Sequence, residues 1–508
     1  MLNLTPFLKL YAKYRLKKIN SSTPSVQQSG ELLNLIQKAK NTKFGREHNF
    51  SSIKSVSDYQ KVVPLRYYEN FWNDYWKKEF PILNNVTWPG TIPYFPVSSG
   101  TSSGVTKYIP FTKEMEKSNV KAGMDLLVHH LNNKPNSKIF AGKNFILGGS
   151  TELVEQAPNI YSGDLSGIAV DLLPWWARLR YFPPKELALL KNWEEKISIL
   201  SERSLKEDIR MISGVPSWML IFFDHLFNKH PEAQRLIKNL YPDLEMLVHG
   251  GVNFSPYYEK FKELLKGSNA ELREVYPASE GFIAVADRGY AEGLRLLLDN
   301  GIFFEFVPFS ELNNKNPTRH WIENVEKNVN YAIVLTTCAG LWSYIIGDTV
   351  TFVDTETPRL LVTGRTSYYL SAFGEHLIAD EIEDAMSYAA KNLNINISDY
   401  SVGAIYPSNP NELGGHLFVL EADRFLSKDE EVNFAKYLDE RLCKRNEDYE
   451  AHRANGFGLK APTLMQAKPN TFSNWMKKRG KLGGQNKVPR IITKDELLKD
   501  LIDFVKKF

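Results

Sequence analysis

Apolar positions recur at helical spacing along the first 90 residues, whereas residues 244–365 carry short apolar runs bounded by glycines and polar turns. The two patterns predict different elements, because side chains share a face about every 3.6 residues in a helix and every second residue in a strand. Residues 1–90 therefore read as mostly helical and aromatic-rich, as in FWNDYWKKEF at 71–80. Residues 91–97, TIPYFPV, read as a short extended segment. Helical periodicity returns over 113–133 and again over 193–230, with a break at Gly214-Val215-Pro216. Strands are predicted at 244–251, 270–281, 301–309, 331–340, 342–354 and 359–365, with a helix at 257–265. That alternation argues for an α/β body with loops gathered at strand ends.

After Arg365 the pattern changes. A turn leads into a helix from Ala379 to Lys391; strands follow at 400–407 (YSVGAIYP) and 415–422 (GHLFVLEA), then more helices. This predicts a small C-terminal α+β domain of about 130 residues, a usual domain size. The expected division is a large domain over 1–370 and a small one over 371–508, hinged near 366–374. No internal repeat or low-complexity tract is present.

Composition narrows the class. With 508 residues, the chain exceeds one compact core. A net charge of +4 is small for that length, so no global field points to nucleic acid or to an anionic membrane. Cys338 and Cys443 give neither metal-ligand spacing nor a disulfide framework, which fits a reducing, cytoplasmic setting. At the start, Leu4, Phe7, Leu8, Tyr11 and Tyr14 fall at helical spacing beside Lys9, Lys13, Arg15, Lys17 and Lys18. That stripe suits a membrane-surface helix or, the favoured reading, a first helix docked on the body. The basic residues follow the apolar part, the reverse of a secretory signal. No apolar run approaches the ~20 residues needed to span a bilayer.

The stretch SSGTSSGVTK, Ser98 to Lys107, buries little but concentrates hydroxyls, flexible backbone and one cation, the groups a bound phosphate needs. It lacks the Gly-Lys-Ser/Thr end of a Walker A loop. Gly100-Thr101-Ser102-Ser103-Gly104 formally matches a serine-hydrolase elbow, which requires a helix directly after it. The extended, proline-containing KYIPF follows instead. A surface linker remains an alternative, but a hairpin-like phosphate loop fits best.

Further motifs follow in order: Gly250-Gly251, Tyr276-Pro277-Ala278-Ser279-Glu280-Gly281, FFEFVP at 303–308, LTTCAGLWSYIIGD at 335–348, Gly364-Arg365 and QNKVPR at 485–490. With SSGTSSGVTK they resemble the adenylate-forming superfamily, and more closely the auxin-responsive Gretchen Hagen family of acyl acid amido synthetases. The resemblance spans roughly residues 95–490. It implies a large N-terminal α/β domain and a small C-terminal domain that rotates over the active site. It also implies a reaction: a small carboxylic acid and ATP give an acyl-adenylate and pyrophosphate. An amine, usually that of an amino acid, then displaces AMP.

The residues suit that chemistry, which is mostly positioning and charge neutralisation between two anions. Ser98, Ser99, Gly100, Thr101 and Ser102 would cradle phosphates, and Lys107 either adds a point charge or stays solvated. Glu280 is the candidate Mg²⁺ ligand, since magnesium uses one or two carboxylates together with phosphate oxygens. By resemblance, Tyr276 would stack on adenine in a site shared with Gly250, Gly251 and Ser279, and Asp348 would accept both ribose hydroxyls. Arg365 either supports ribose or phosphate or forms a structural hinge pair. The segment 468–490 holds seven basic residues and no acidic one, as expected of a cationic flap over polyphosphate; Lys487 is the matching catalytic lysine and Lys481 the second candidate. The acyl pocket is expected along 113–133 and Val170–Arg180, where Arg178 and Arg180 are candidates for holding a second carboxylate. Two positions depart from the family pattern: Ile345 replaces an arginine and His376 a lysine. An acyl-CoA ligase and a non-catalytic nucleotide-binding protein are the competing readings.

Overall fold

A single sheet of twelve strands crosses the large part of the molecule, and its two halves are built by different rules. The computed structural model describes residues 2–98, 106–148, 153–173, 175–188, 190, 193–251, 254, 257–365, 369–370, 372–373, 375, 377–407, 409, 412–453, 458–479 and 488–507. In the first half, Tyr181–Phe182, Lys143–Leu147, Ile209–Gly214, Met246–Gly250 and Glu271–Ala278 lie side by side and parallel. Parallel neighbours need crossovers, and helices such as Pro216–Lys229 and Tyr258–Leu264 provide them. At Ala278 the chain turns straight back into Gly281–Val285. From there every pairing is antiparallel, through Leu294–Leu296, Arg359–Arg365, Tyr344–Asp354, Asn330–Thr337, Ile302–Pro308 and His320–Trp321.

Each half has its own core. Phe145, Ile212 and Leu247 of the parallel half pack on Phe222, Phe223 and Leu226. Phe303, Ile333, Tyr344 and Phe352 of the antiparallel half pack on Leu32, Leu35, Phe44, Phe71 and Trp76 from the N-terminal helices. Met246, Val248 and Val285 meet Leu8 and Ala12 of the first helix, together with Leu126 of helix Lys113–Asn133.

Two expectations are corrected. The first helix, Thr5–Ile19, docks on the body as favoured, but by only part of that stripe: Leu8 is buried and Tyr11 packs beside it, while Phe7 and Tyr14 are exposed. Ala12, outside the stripe, is buried with them, and the buried Arg15 bridges Asp125 and Asp299 at 2.7 Å each. The span 193–230 is not helical throughout, because Ile209–Gly214 is a strand between two helices. Ile209 and Ile212 are its buried, β-branched positions, and six residues are too few to display a period against helical neighbours.

A smaller sheet orders Lys107–Tyr108, Tyr94–Ser98, Ile160–Gly163 and Leu153–Ala157. In the C-terminal part, Thr463–Ala467, Gly415–Ala422, Ile397–Ile405 and Ile491–Ile492 form a four-stranded sheet covered on both faces. Val402, Phe418 and Leu420 pack on Ile382, Met386, Phe434 and Leu438, while Leu417 and Val419 pack on Phe472, Trp475, Leu498 and Leu501. The two parts touch where Tyr257 donates its hydroxyl to the Ala372 carbonyl at 3.1 Å and Lys260 donates to that of Pro407 at 3.0 Å. Glu375 is fully buried there; it accepts the Ala372 and Phe373 N–H groups and lies 2.7 Å from His416 Nε2.

Candidate active site

Ser98 and Lys107 face each other across an antiparallel pair, as do Val97 and Tyr108. This antiparallel pair flanks the Ser/Gly run, and a strand rather than a helix follows the run, which removes the hydrolase-elbow geometry. Ser99, Gly100, Thr101 and Ser102 lie outside the described residues. Lys107 is 8% exposed, so the solvated reading is corrected. Its ammonium sits 5.4 Å from the centroid of the Tyr68 ring, a cation–π distance. The Tyr68 hydroxyl accepts the Tyr108 N–H at 3.0 Å. Tyr68 comes from the aromatic-rich N-terminal region, which carries no site motif to announce it.

The Tyr276–Gly281 and Tyr344–Asp348 stretches meet where the two halves of the sheet join. Glu280 sits in the tight turn between Glu271–Ala278 and Gly281–Val285. Asp348 sits in a bulge: Ala332 opposes Thr349 and Val334 opposes Ile345, so the strand carries extra residues between them. Gly347, at φ +97°, supplies a backbone angle that L-residues rarely take, and such bulges re-aim side chains. Tyr276 donates its hydroxyl to Asp348 Oδ2 at 2.5 Å. Tyr344 donates to Glu280 Oε1 at 3.2 Å. All four side chains are 9% exposed or less. Burial, reinforced by the Glu280 carboxylate, drives the Tyr344 phenol pKa well above its ordinary value. The phenol therefore stays protonated, a donor and not an anion.

Tyr344 is itself held from behind. Arg66 N–H donates to the Ser343 carbonyl at 3.0 Å, and Ile345 N–H donates to that of Arg66 at 2.9 Å. Ser343 takes φ +46°, a region non-glycine residues seldom occupy, and its Oγ lies 2.9 Å from Glu305 Oε2. Glu305 of FFEFVP is fully buried and receives both prongs of Arg319, each at 2.9 Å. That motif is thus scaffolding for the site. Ile345 buries against Val307 and Val334, and successive strand residues point to opposite faces. The Ile345 departure therefore falls away from Glu280.

Gly250 ends its strand beside Val275, whose carbonyl oxygen would lie 2.3 Å from any Cβ there. Close strand approach is reason enough for that glycine. Gly251 is exposed and Ser279 half-buried. Arg365 pairs in register with Asp348, which puts the end of its strand beside the site. Lys481, Lys487 and His376 lie outside the described residues. Arg178 donates to the carbonyls of Leu173 and Asp171, and Arg180 to those of Phe140 and Leu2. Both guanidinium groups thus hold backbone carbonyls. Among the described residues no group of three or more His, Cys, Asp or Glu is placed to hold a metal ion. A lone, oriented carboxylate such as Glu280 suits magnesium that takes its remaining ligands from phosphate and water. No helix among the described residues is long and apolar enough to cross a membrane.

Comparison with known proteins agrees with this arrangement. Sequence models of the GH3 family match consecutive parts of the chain: the N-terminal domain at residues 12–270, the central domain at 295–365 and the C-terminal domain at 380–496. Indole-3-acetic acid-amido synthetase GH3.3 of Arabidopsis thaliana is 22% identical over 329 residues, 60% of this chain and 55% of that protein. The match thus spans little more than half the length of that relative. Among solved structures, the fold is similar to a GH3.15 acyl acid amido synthetase in complex with 2,4-DB, with TM-score 0.61, 17% identity and coverage of 97% and 95% of the two chains. It is similar also to a 2-hydroxyisobutyryl-CoA ligase in complex with 2-HIB-AMP and CoA, with TM-score 0.59, 14% identity and coverage of 94% and 91%.

Proposed function

The chain belongs to the GH3 family, and from that premise we propose that it is an ATP-dependent acyl acid amido synthetase. The observation that carries the proposal is the meeting of Glu280 and Asp348 at the sheet junction, each held by a buried phenol. Two oriented carboxylates in a chain that also carries a Ser/Gly-rich run are what a magnesium–nucleotide complex needs.

In the first half-reaction, a carboxylate oxygen of the acid attacks the α-phosphorus of ATP. The bond from that phosphorus to the bridging oxygen breaks, and pyrophosphate leaves with the electron pair. Ser98 to Ser102 and Lys107 hold the β- and γ-phosphates. Asp348 accepts the ribose hydroxyls, with Tyr276, Gly250, Gly251 and Ser279 around adenine. Glu280 is the magnesium ligand; the ion, when bound, supplies positive charge against the triphosphate. In the second half-reaction, a neutral amine attacks the acyl carbon, the bond to AMP oxygen breaks, and the nitrogen loses a proton. Lys487 and Arg365 offset charge on the phosphate from the C-terminal side.

Pyrophosphate exchange into ATP, with Mg²⁺ and a panel of small carboxylic acids, tests the proposal. Acid-dependent exchange that disappears in Glu280→Ala and Asp348→Ala is the expected result. ATP binding without exchange across a broad acid panel refutes catalysis. The fold itself is shared by amide-forming and thioester-forming enzymes, so the acceptor is decided by AMP release with amino acids against coenzyme A. Release with coenzyme A alone makes the protein an acyl-CoA ligase.

A further inference from the structure

The segments 276–280 and 344–348 have the same layout, a tyrosine four residues before a carboxylate. Each tyrosine bonds the carboxylate of the other segment: Tyr276 that of Asp348 and Tyr344 that of Glu280. The result is a crossed pair of phenol–carboxylate bonds between the turn at the end of the parallel half and the bulge in the antiparallel half. We infer that Tyr276 and Tyr344 are positioning residues that lock the ribose-side and metal-side carboxylates into one unit. The inference rests on the roles proposed above for Glu280 and Asp348.

Three features favour a brace over ordinary packing. Both phenols are buried, 8% and 1% exposed, so neither bond competes with bulk water. The Tyr344 end is anchored through its backbone by Arg66 and through Ser343 by Glu305 and Arg319. A hydroxyl donating to an ionised acceptor also fixes which carboxylate oxygen faces away from it, and partners of a metal-ligating carboxylate tune its ion in this way. Because the two bonds join the same two segments, displacement of either carboxylate shifts the other.

The test is binding, not turnover. Mn²⁺ binding in the presence of a non-hydrolysable ATP analogue is followed by electron paramagnetic resonance, and metal-free nucleotide binding in EDTA by calorimetry. Tyr344→Phe is expected to weaken Mn²⁺ binding by about tenfold or more, to leave metal-free nucleotide affinity unchanged, and to add nothing in a Glu280→Gln background. Tyr276→Phe keeps the ring against adenine but is expected to reduce the preference for ATP over 2′,3′-dideoxy-ATP. Melting temperatures confirm folding; if Tyr344→Phe does not fold, Glu280→Asp withdraws the carboxylate from the phenol and reads the same bond. Wild-type Mn²⁺ affinity in Tyr344→Phe, or equal losses with and without metal, overturns the brace while the proposed function stands. Unchanged Mn²⁺ affinity in Glu280→Gln overturns the metal role of Glu280 itself, and the brace with it.

Discussion

The two halves of the central sheet use their polar residues in opposite ways. In the parallel half, side chains are consumed by packing, because crossover helices cover the strands. What that half offers the proposed site is backbone at strand ends such as Gly250 and, from its last strand, the Tyr276 hydroxyl. In the antiparallel half, consecutive strands return at once, so a tight turn and a bulge set side chains of distant sequence against one another. Glu280 stands at the boundary and Asp348, Tyr344 and Glu305 beyond it. On the proposed roles, the two carboxylates stand where a turn and a bulge interrupt the antiparallel pairing, while the parallel half contributes Tyr276 and the frame.

The largest expected effect puts that contrast at risk directly. Glu280→Ala and Asp348→Ala should each lower pyrophosphate exchange by about a thousandfold, the scale of losing a pre-organised charged group. Retention of exchange within tenfold in both would move the chemistry out of the antiparallel half. Next in size is Arg319→Ala. It leaves Glu305 charged and fully buried without its bidentate partner, and breaking such a pair costs about 3–5 kcal/mol. A fall of that order in the unfolding free energy measured in urea, with exchange lost as Ser343 and Tyr344 shift, ties the scaffold to the site. A fall below 1 kcal/mol would make Glu305 a passenger.

Much of this was legible in the chain because its strands are strongly patterned. The runs at 301–309, 331–340 and 359–365 all became strands, and the proline after Lys107 argued rightly for a strand over a helix. What stayed hidden has physical causes. The strand Ile209–Gly214 is too short to show a period beside two helices. The crossed tyrosines depend on which strands become neighbours, and no local pattern encodes that a turn at 280 will face a bulge at 348. Arg15 reads as a basic residue beside an aromatic stripe until its partners Asp125 and Asp299 arrive from elsewhere in the chain. Tyr68 under Lys107 is hidden for the same reason.

A smaller effect sharpens the view of the parallel half as frame. Glu274 lies among His249, Leu272, Tyr290 and Leu294, and burial pushes its carboxyl up to about 7. A raised carboxyl pKa means that the folded state resists the charge. The penalty begins as pH rises above the unfolded value of 4.5 and is complete above about 7. Glu274→Gln should therefore raise the melting temperature at pH 8 but not at pH 4. Exchange should stay within about threefold of wild type, less than 1 kcal/mol. A collapse of exchange in this variant would give the parallel half a carboxylate in the chemistry and break the contrast.

The smallest expected effect lies at the opposite end of the same strands. His130, on helix Lys113–Asn133, is 1% exposed and sits 2.8 Å from Glu271 and 3.6 Å from Glu245. Those residues begin or immediately precede two parallel strands. Burial opposes charge on the imidazole, but hydrogen bonds to Glu245 and Glu271 outweigh it, so its pKa is raised. The stabilisation it provides is complete below its unfolded value of 6.5 and is lost as pH rises through the higher folded value. Glu245 and Glu271 have lowered pKa values in spite of burial, so their contribution fades only in acid, below 4.5. Wild-type melting temperature should accordingly decline as pH rises above 6.5, by an amount missing from His130→Gln, with exchange unaffected in both. A flat profile in the wild type would mean that this buried cluster is neutral when folded. The N-terminal ends of the parallel strands would then be held by packing alone.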